Sequence, residues 1–352
     1  MFHKLIKSRG AVNAELAQIL GNTGWLLAGK ILRLGVSLLM GTWVARYLRP
    51  EGFGQLQYAL VFASFFDPLS TLTMGPVITR DLVRQPESSP VILGTAFALQ
   101  VMGGVTAAGL SVVGIVLLAP GQPLTQLLVA IIALKYVFNS FQPIENWFEA
   151  RVASKYVVWA EHGVFLLIVL FKCGLLWWQA AVVAFALAIA IESCLYGVGL
   201  VFFYTRQRQS MGAWRTDWGN LKYLFKESWP LVLSSTAVVI YLNIDQIMLG
   251  NLLGKQAVGI YASAATLAGA TSFLPVILGS SLYPRIIQSQ QFGPAIYHQR
   301  LQQFYDLNAA IAYGLIIVLL PLADFLISHL YGAAYGAAIP IFGWLILSAL
   351  FT

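Results

Sequence analysis

The stretch that decides the fold of this chain reads WLLAGKILRLGVSLLMGTWVARY, over residues 25–47. It is long enough to cross the hydrocarbon core of a bilayer, about 30 Å thick, as a single helix. Besides Arg46 at its end, two permanent cations, Lys30 and Arg33, nevertheless lie inside it, each at a cost of roughly 2.5–3.5 kcal/mol on insertion scales. Because residues three apart share one helix face, the two side chains form a doubly positive patch. Such a patch indicates an anionic partner or a water-filled cavity.

The composition places the whole chain in a membrane. Hydrophobic residues make up 59% of its 352 residues and charged residues only 10%, whereas soluble domains are about 25% charged. Apolar runs of about 20 residues recur without the alternation of barrel strands, so the spans are helices. We predict an all-α polytopic membrane protein with about ten transmembrane helices, over residues 24–47, 54–79, 91–119, 124–148, 157–177, 180–204, 229–252, 258–283, 304–327 and 335–352.

The basic residues outside the spans predict the orientation. With a cytoplasmic N-terminus, 14 lysines and arginines lie on the cytoplasmic side and 4 on the opposite side. Cytoplasmic loops carry the excess of Lys and Arg in multi-pass proteins, so we expect a cell (inner) membrane protein with a cytoplasmic N-terminus. The net charge of +7 follows from this topology, and a nucleic-acid partner is not needed to explain it.

Polar breaks divide the chain into four parts. Residues 1–20 are basic and mildly amphipathic, which is typical of an uncleaved interfacial segment rather than a signal peptide. Residues 21–204 form an N-lobe of six transmembrane helices, 205–228 a cytoplasmic linker, and 229–352 a C-lobe of four. The tenth run reaches the last residue without a polar end or basic anchor, so we expect the C-lobe to be truncated and the chain to be part of a longer protein.

A weak internal repeat relates the two lobes. A shift of 205 residues places residues 47–54 over 252–259 and Arg80 over Arg285. The same kind of turn thus precedes the same kind of span, and an arginine ends both spans. An offset of six spans preserves the direction across the membrane, as in the parallel repeats of some transporters. Two pseudo-repeated lobes of this kind predict a central cavity between them.

Cations inside or beside the spans are the candidate substrate-binding groups. Lys135 lies about 11 residues from either end of its predicted span, so at 1.5 Å per residue it is near the bilayer centre. Ionisable groups at that depth normally face a bundle interior or a wet cavity. We assign Lys30, Arg33 and Lys135 to the binding of an anion. Arg80 and Arg285 either flank the mouth of the cavity or act only as cytoplasmic anchors.

Acidic residues within the spans fall into two groups. Asp67, which Pro68 follows at a candidate helix break, and Asp245 are candidates for ion coupling or gating, although pairing between helices would also explain them. Four of the other intramembrane charges are interpreted as interhelical pairs: Glu161, His162, Glu192 and Asp324. Four more are close enough to helix ends to reach the interface: Glu145, Glu149, Lys172 and Asp306.

Signatures of enzymes, cofactors and metals are missing from the sequence. It contains no Walker A motif, no Gly-x-Gly-x-x-Gly on a strand–helix unit, no His-Glu-x-x-His and no Asp-x-Asp in a loop. Cys173 and Cys194 lie in or beside spans and are interpreted as small apolar residues, not as a disulfide or a metal site. We therefore expect a protein that is not an enzyme and uses no cofactor or metal.

Parts of the sequence resemble a known family. Six short stretches carry the likeness: NTGWLLAGKILR (22–33), WVARYL (43–48), EGFG (51–54), WPL (229–231), IDQIMLG (244–250) and AVGIY (257–261). They resemble the polysaccharide biosynthesis flippases, which are the O-unit or Wzx-type transporters of the MATE/MOP superfamily. Members of that family usually have more helices than the ten predicted here, which is a departure from the pattern.

The resemblance implies a function. It implies movement of a polyprenyl-diphosphate-linked oligosaccharide from the cytoplasmic to the outer leaflet, for surface polysaccharide assembly. Alternating access between two lobes, a cationic cavity and coupling to an ion gradient are implied with it, and Lys30 and Arg33 lie in the matched first helix. Membrane lipid, a polysaccharide polymerase and glycosyltransferases are the expected partners.

Two alternatives to this function stay open. One is a small-molecule or drug:cation antiporter of the same superfamily, for which a cavity dominated by acidic side chains is expected. The other is a scaffold that transports nothing and serves a polysaccharide assembly complex, an alternative that the expected truncation favours.

Overall fold

A computed structural model of the chain is almost entirely helical in the part that it describes. It describes the backbone of residues 2–273, 275, 279, 282 and 286–348, and the side chains of the same residues except 2–31, 272 and 292. Within these ranges there is no β-strand. This is expected of a chain that crosses lipid, because a helix satisfies all its backbone hydrogen bonds internally.

The described helices include several short pieces of broken spans. They are α1 (Phe2–Ser64), α2 (Asp67–Thr71), α3 (Gly75–Arg84), α4 (Ser89–Leu118), α5 (Pro123–Ala133), α6 (Lys135–Phe138), α7 (Gln142–Ala150), α8 (Lys155–Trp177), α9 (Val182–Arg206), α10 (Trp218–Leu252), α11 (Lys255–Gly269), α12 (Pro294–Leu319), α13 (Ala323–Leu330) and α14 (Ala338–Ser348).

The lengths and hydropathy of these helices confirm a multi-pass membrane protein. Five segments of the described part are long and apolar enough to cross a bilayer: Pro86–Leu118, Pro123–Ala150, Lys155–Trp177, Val182–Arg206 and Trp218–Leu252. Two bent pairs pass the same test together, one made of the described end of α1 with α2 and α3, bent by 44°, and one of α12 with α13, bent by 68°. The described residues therefore supply five to seven of the ten predicted spans.

The first two predicted spans, 24–47 and 54–79, are not separated by a loop. Helix α1 extends through the first and into the second, and Arg49 interrupts it with a φ of 58° and a ψ of 170°. Pro50 explains the interruption, because proline lacks a backbone N–H and disfavours helical geometry at the residue before it. The boundary that the apolar pattern predicts is thus a break at a single residue, where one helix follows the other directly.

Two predicted spans are broken near their centres. A turn separates α1 from α2, which begins at Asp67 with Pro68 in its first turn, a position that proline favours. The fourth predicted span, 124–148, is interrupted at Leu134 and again at Asn139–Phe141. Broken helices leave main-chain groups without helical partners, which membrane proteins tolerate where the break is buried in protein or lines a cavity.

Residue contacts divide the chain into two compact units. One unit comprises residues 1–46 and 263–352, and the other comprises residues 47–262. In the first unit the buried Tyr335 donates a hydrogen bond of 2.7 Å to the carbonyl of Ala45, which holds the turn after α13 against α1. The predicted lobe boundaries follow a different division and stay a prediction.

The core of the second unit is rich in aromatic side chains. Trp147 and Phe148 of α7 are buried and pack edge-on, with 5.1 Å between ring centroids. Tyr204 of α9 packs against Trp147 at 5.0 Å, and Leu93 of α4 lies in the same cluster. Since lipid is as apolar as leucine, van der Waals packing and aromatic geometry hold these helices together rather than hydrophobic burial.

The predicted internal repeat has a counterpart in the backbone. Arg49 and Gly254, which are 205 residues apart, have positive φ angles of 58° and 88°. Helix α1 resumes at the residue after Arg49, and α11 begins at the residue after Gly254. Equivalent positions of the two repeats thus turn the chain in the same way.

A reciprocal contact between the repeats follows five residues later. A Cβ on Gly54 would stand 1.7 Å from the carbonyl oxygen of Lys255. A Cβ on Gly259 would stand 2.0 Å from the carbonyl oxygen of Pro50. Both pairs of equivalents are separated by the same 205 residues, so each repeat makes the same contact with the other, as around a two-fold axis.

Candidate functional site

An ion pair joins two of the predicted site residues inside the second unit. The Lys135 ammonium lies 2.8 Å and 3.0 Å from the two carboxylate oxygens of Asp67. Lys135 begins α6 and Asp67 begins α2, so both charges lie at helix breaks. The lysine side chain is 15% exposed and the carboxylate 38%, and charges in such a low-dielectric place attract each other more strongly than in water. The structure thus brings together a predicted anion-binding cation and a predicted coupling acid.

Helix α4 makes this approach possible. A Cβ on Gly103 would stand 2.7 Å from the carbonyl oxygen of Leu69, just after the start of α2. A Cβ on Gly104 would stand 2.5 Å from the carbonyl oxygen of Tyr136 in α6. Small residues allow this close helix contact in membranes, and Tyr136 also donates a hydrogen bond to the carbonyl of Ala63 in α1. The ion pair therefore lies where the backbones of α2, α4 and α6 are in contact.

Arg80, predicted at the mouth of a cavity, links α3 to α10. Its guanidinium donates to the carboxylate of Asp81 at 3.0 Å and to the hydroxyl of Tyr223 at 2.7 Å. The same group lies 3.5 Å from a carboxylate oxygen of Glu227. Because Arg80 is about one third exposed, solvent screens these contacts and they contribute little to stability.

Asp245, the second predicted coupling acid, links α10 to α11. Its carboxylate accepts a hydrogen bond from the hydroxyl of Tyr261 and another, of 2.8 Å, from the backbone N–H of Gln246. Asp245 therefore has a partner on the helix that follows it. The structure does not bring it near the Lys135–Asp67 pair through any described contact.

Two of the predicted cations lie outside the described side chains. They are Lys30 and Arg285. Arg33 is described and is partly buried on α1, in the first unit. The set of five substrate-binding cations assigned from the sequence thus stays a prediction.

A polar cavity in the second unit contains a residue that sequence reasoning did not select. Glu145 lines a cavity of about 170 Å³ and accepts a hydrogen bond of 3.0 Å from the hydroxyl of Tyr196. From its place near a span end, Glu145 was expected to reach the interface. No sequence spacing relates α7 to α9 at this point, so only the packing of the two helices reveals the pair.

Hydrogen bonds connect this cavity to the backbone of Asp67, whose side chain belongs to the ion pair. The amide of Asn139 donates to the Ser70 hydroxyl at 3.2 Å, and Ser70 donates to the carbonyl of Asp67 at 2.9 Å. Gln100 of α4 donates to the carbonyl of Thr71 at 3.1 Å. These side chains satisfy main-chain carbonyls in the broken region, as buried polar groups require.

A second cavity, of about 350 Å³, lies where α5 and α11 begin, and its lining includes Gln55, Gln122, Thr125 and Lys255. The Lys255 ammonium lies 2.9 Å from the centroid of the Tyr58 ring and has no hydrogen-bond partner among the described residues. Burial lowers the pKa of Lys255 from its ordinary value of 10.5 to about 8. The face of an aromatic ring attracts a cation and offsets part of this cost.

Clusters of ligands for a metal ion are missing from the described residues. No group of three or more His, Cys, Asp or Glu side chains in that part of the chain is placed to hold one. The two cysteines, Cys173 and Cys194, are free thiols that are partly buried.

Comparison with solved structures identifies the fold of this multi-pass membrane protein. The fold is similar to a structure described as the inward-facing conformation of a multidrug resistance MATE family transporter of the MOP superfamily, with a TM-score of 0.64. The alignment covers 91% of this chain and 80% of that chain at 14% sequence identity, so the likeness concerns the fold. No curated protein sequence matches the chain significantly.

The family follows from the sequence. Residues 19–290 match the family described as polysaccharide biosynthesis protein. Since the match covers most of the chain, this chain belongs to that family, and the resemblance drawn from its motifs is confirmed. Family and fold together describe a multi-pass helical membrane protein of polysaccharide biosynthesis.

Proposed function

We propose that this chain is a flippase that moves a polyprenyl-diphosphate-linked oligosaccharide from the cytoplasmic to the outer leaflet by alternating access. The observation that carries the proposal is a transporter fold in a chain that matches the polysaccharide biosynthesis family over residues 19–290. Polar sugars cannot enter hydrocarbon without losing their hydrogen bonds with water, so a lipid-linked sugar needs a protein passage. The proposed location is the cell (inner) membrane, with a cytoplasmic N-terminus.

The diphosphate is the proposed ligand of the intramembrane cations Lys30, Arg33 and Lys135. Hydrogen bonds from lysine or arginine to phosphate are shorter than neutral ones and roughly twice as strong. Lys135 is paired with Asp67 in the structure, so a diphosphate would compete with that carboxylate for the ammonium. Asp67 would then take up a proton or another cation, which would couple substrate binding to an ion gradient.

The remaining predicted site residues are proposed to control access. Arg80 and Arg285 would bind phosphate at the cytoplasmic mouth, where Glu227 of α10 competes for Arg80. Asp245 would act as a gate, because it holds α11 through Tyr261. Opening and closing of these polar contacts is the proposed motion.

The proposed partners follow from the chemistry of the cargo. Glycosyltransferases would assemble the lipid-linked oligosaccharide at the cytoplasmic face, and a polysaccharide polymerase would consume it at the outer face. Membrane lipid would hold the polyprenyl tail while the sugar passes through the protein.

Glutamine substitutions test the role of the cations. We expect Lys30→Gln, Arg33→Gln and Lys135→Gln each to slow the movement of a fluorescent polyprenyl-diphosphate sugar in reconstituted vesicles by roughly ten- to hundredfold, since a hydrogen bond to a charged group contributes about 1.5–3 kcal/mol. The K30Q/R33Q double variant should be slower still. The matched control is Lys222→Gln, an exposed lysine of α10.

Lys135→Gln leaves Asp67 without its counter-ion, so this variant can lose transport by unfolding. The D67N/K135Q variant removes both charges, and a loss of transport that remains in it is a loss of binding. If K30Q/R33Q moves the lipid at the rate of the unmodified protein and at equal protein level, these two cations do not bind the substrate. If no vesicle containing the unmodified protein moves the lipid, the proposed function is wrong.

The fold similarity to a multidrug transporter keeps a second candidate function, the antiport of a small molecule or drug against a cation. The same vesicles test it with a cationic dye in place of the lipid. Dye movement driven by an ion gradient, without movement of the lipid-linked sugar, would favour this second function.

A further inference from the structure

Glu145 lies in a cavity that the proposed path of the diphosphate does not use. The cavity, of about 170 Å³, is lined by Thr71, Phe138, Asn139, Gln142, Glu145, Ser193, Tyr196 and Leu200. Six of these eight side chains are polar, although the surrounding segments are among those apolar enough to cross a membrane. A space of this size with several polar partners has room for water.

The carboxylate of Glu145 has a hydrogen bond but no counter-ion. It accepts from the Tyr196 hydroxyl at 3.0 Å. In the part of the chain that the structure describes, the recorded ion pairs join other carboxylates to their cations, and none includes Glu145. A charged carboxylate at membrane depth is costly unless a cation or a proton neutralises it.

The ionisable groups that act on Glu145 in the described part of the chain are two acids and a phenol. Glu149 on the same helix and Glu161 on α8 both repel a charge on Glu145, and Tyr196 on α9 is neutral. Helix α3, which also packs against α7, carries Arg80 and Arg84, and Arg80 is paired with Asp81 and Glu227. Helix α4, which packs against this region, contains no ionisable side chain. The acid of α2, Asp67, is already paired with a lysine. Acidic neighbours favour the neutral form of a carboxyl group.

We propose that Glu145 is a reversible proton-binding site, loaded from water in this cavity. A hydronium ion gives its proton to the carboxylate, which changes from a charge of −1 to neutral, and water is released. The Tyr196 hydroxyl donates to the carboxyl group in both states. The assignment of the site stands on this geometry alone, and only its use to drive transport rests on the proposed flippase function.

Protonation has a structural consequence at this position. The neutral acid no longer repels Glu149 and Glu161, so α7 and α8 can lie closer together. The charged form draws water into the cavity and favours a wider one. The hydrogen bonds from Asn139 through Ser70 connect this change to the backbone at Asp67, where the broken spans meet.

Infrared difference spectroscopy tests the site without any substrate. The purified full chain in lipid is compared between low and high pH, and the C=O stretching band of a protonated carboxylic acid is measured. We expect Glu145→Gln to lose a band that the unmodified protein shows and Glu149→Gln to keep it. Tyr196→Phe should keep the band at a shifted frequency, because the phenol no longer donates to the carboxyl group.

A band that E145Q retains in full would overturn the proposal, since another carboxyl group would then bind the proton. The proposal is also wrong if the unmodified protein shows no such band while sodium, but not choline, changes its spectrum in a Glu145-dependent way. Gel filtration of each variant establishes that it is folded.

Transport separates this proposal from the proposed function. In the vesicles described above, a pH gradient should accelerate lipid movement by the unmodified protein and by E149Q, and E145Q should lose that acceleration. A protein that shows the Glu145 band but moves no lipid would contradict the flippase function and leave the proton site intact.

Discussion

Two buried lysines of the second unit are neutralised in different ways. Lys135 has a carboxylate partner, Asp67, at 2.8 Å. Lys255 has the face of the Tyr58 ring and no hydrogen-bond partner among the described residues. Lys255 lies at the turn between α10 and α11 with a pKa lowered by burial to about 8. It therefore makes stability depend on pH in the alkaline range.

Lys255→Met should raise the unfolding temperature most below pH 8. The folded protein there keeps a partly desolvated ammonium, and this cost falls as the pH rises from about 8 towards 10.5, the ordinary value in the unfolded chain. In that window the unfolded state binds more protons, so the stability of the unmodified protein rises with pH. Circular dichroism melting in lipid, from pH 7 to pH 10, measures the difference between the two proteins.

Lys222→Met serves as the control, because Lys222 is exposed on α10. Its unfolding temperature should follow that of the unmodified protein across the range. A gap between K255M and the unmodified protein that stays constant or widens with pH would contradict the assigned burial.

At the scale of elements, breaks in the helices decide which groups meet. Asp67 and Lys135 each begin a short helix that follows a break. If the spans were continuous, Asp67 and Lys135 would project from regular helical turns. The glycines of α4 would then have no irregular backbone of α2 and α6 to contact. The kink at Arg49 and the turn at Gly254 likewise place the two repeats in contact.

Gly54→Ala tests the reciprocal contact between the repeats. The new Cβ would stand 1.7 Å from the carbonyl oxygen of Lys255, so the backbones must separate. We expect a loss of about 1–3 kcal/mol, the usual cost of overpacking a close contact. Denaturant or thermal unfolding in lipid measures it.

The matched control is Gly52→Ala, two residues earlier in the same helix. Its Cβ would meet only the Leu48 side chain, at an ordinary distance of 3.5 Å, and alanine favours a helix over glycine. Equal stability of G54A and G52A would show that the two repeats do not touch at this point.

At the scale of the whole molecule, basic residues outside the spans determine in which direction the chain crosses the membrane. The end of α9 and the loop before α10 contain Arg206, Arg208 and Arg215, whereas one lysine, Lys255, follows the turn after α10. From the positive-inside rule we expect the three arginines to lie in the cytoplasm and Lys255 to lie outside. One span, α10, separates the two.

Cysteine labelling tests this orientation. In a chain whose two cysteines are replaced by serine, Leu253→Cys should react with a membrane-impermeant thiol reagent on intact cells, because Leu253 is 70% exposed beyond the end of α10. Thr216→Cys, exposed on the other side of the same span, should react only after the membrane is opened. The reverse pattern would mean that the N-terminus is not cytoplasmic.

Sequence reasoning reached the class and family but only part of the site. The apolar runs predicted helical spans, and Pro68 predicted the break beside Asp67, because both signals are local. Pairing of Asp67 with Lys135, 68 residues later, could not be predicted, since each residue alone is equally suited to a substrate or an ion. Glu145 was assigned to the interface because its distance from a span end does not show which helix faces it.

The sequence by itself determined that this is a multi-pass helical membrane protein of the polysaccharide biosynthesis family, since apolar length, charge placement and family motifs are properties of the chain. It also contained the repeat, in the 205-residue spacing that recurs at Arg49 and Gly254. Tertiary structure alone decided which charges are partners. In lipid a charge is stable only beside a counter-ion, a hydrogen-bonding group or an aromatic ring, and which of these it meets depends on how distant helices break and pack.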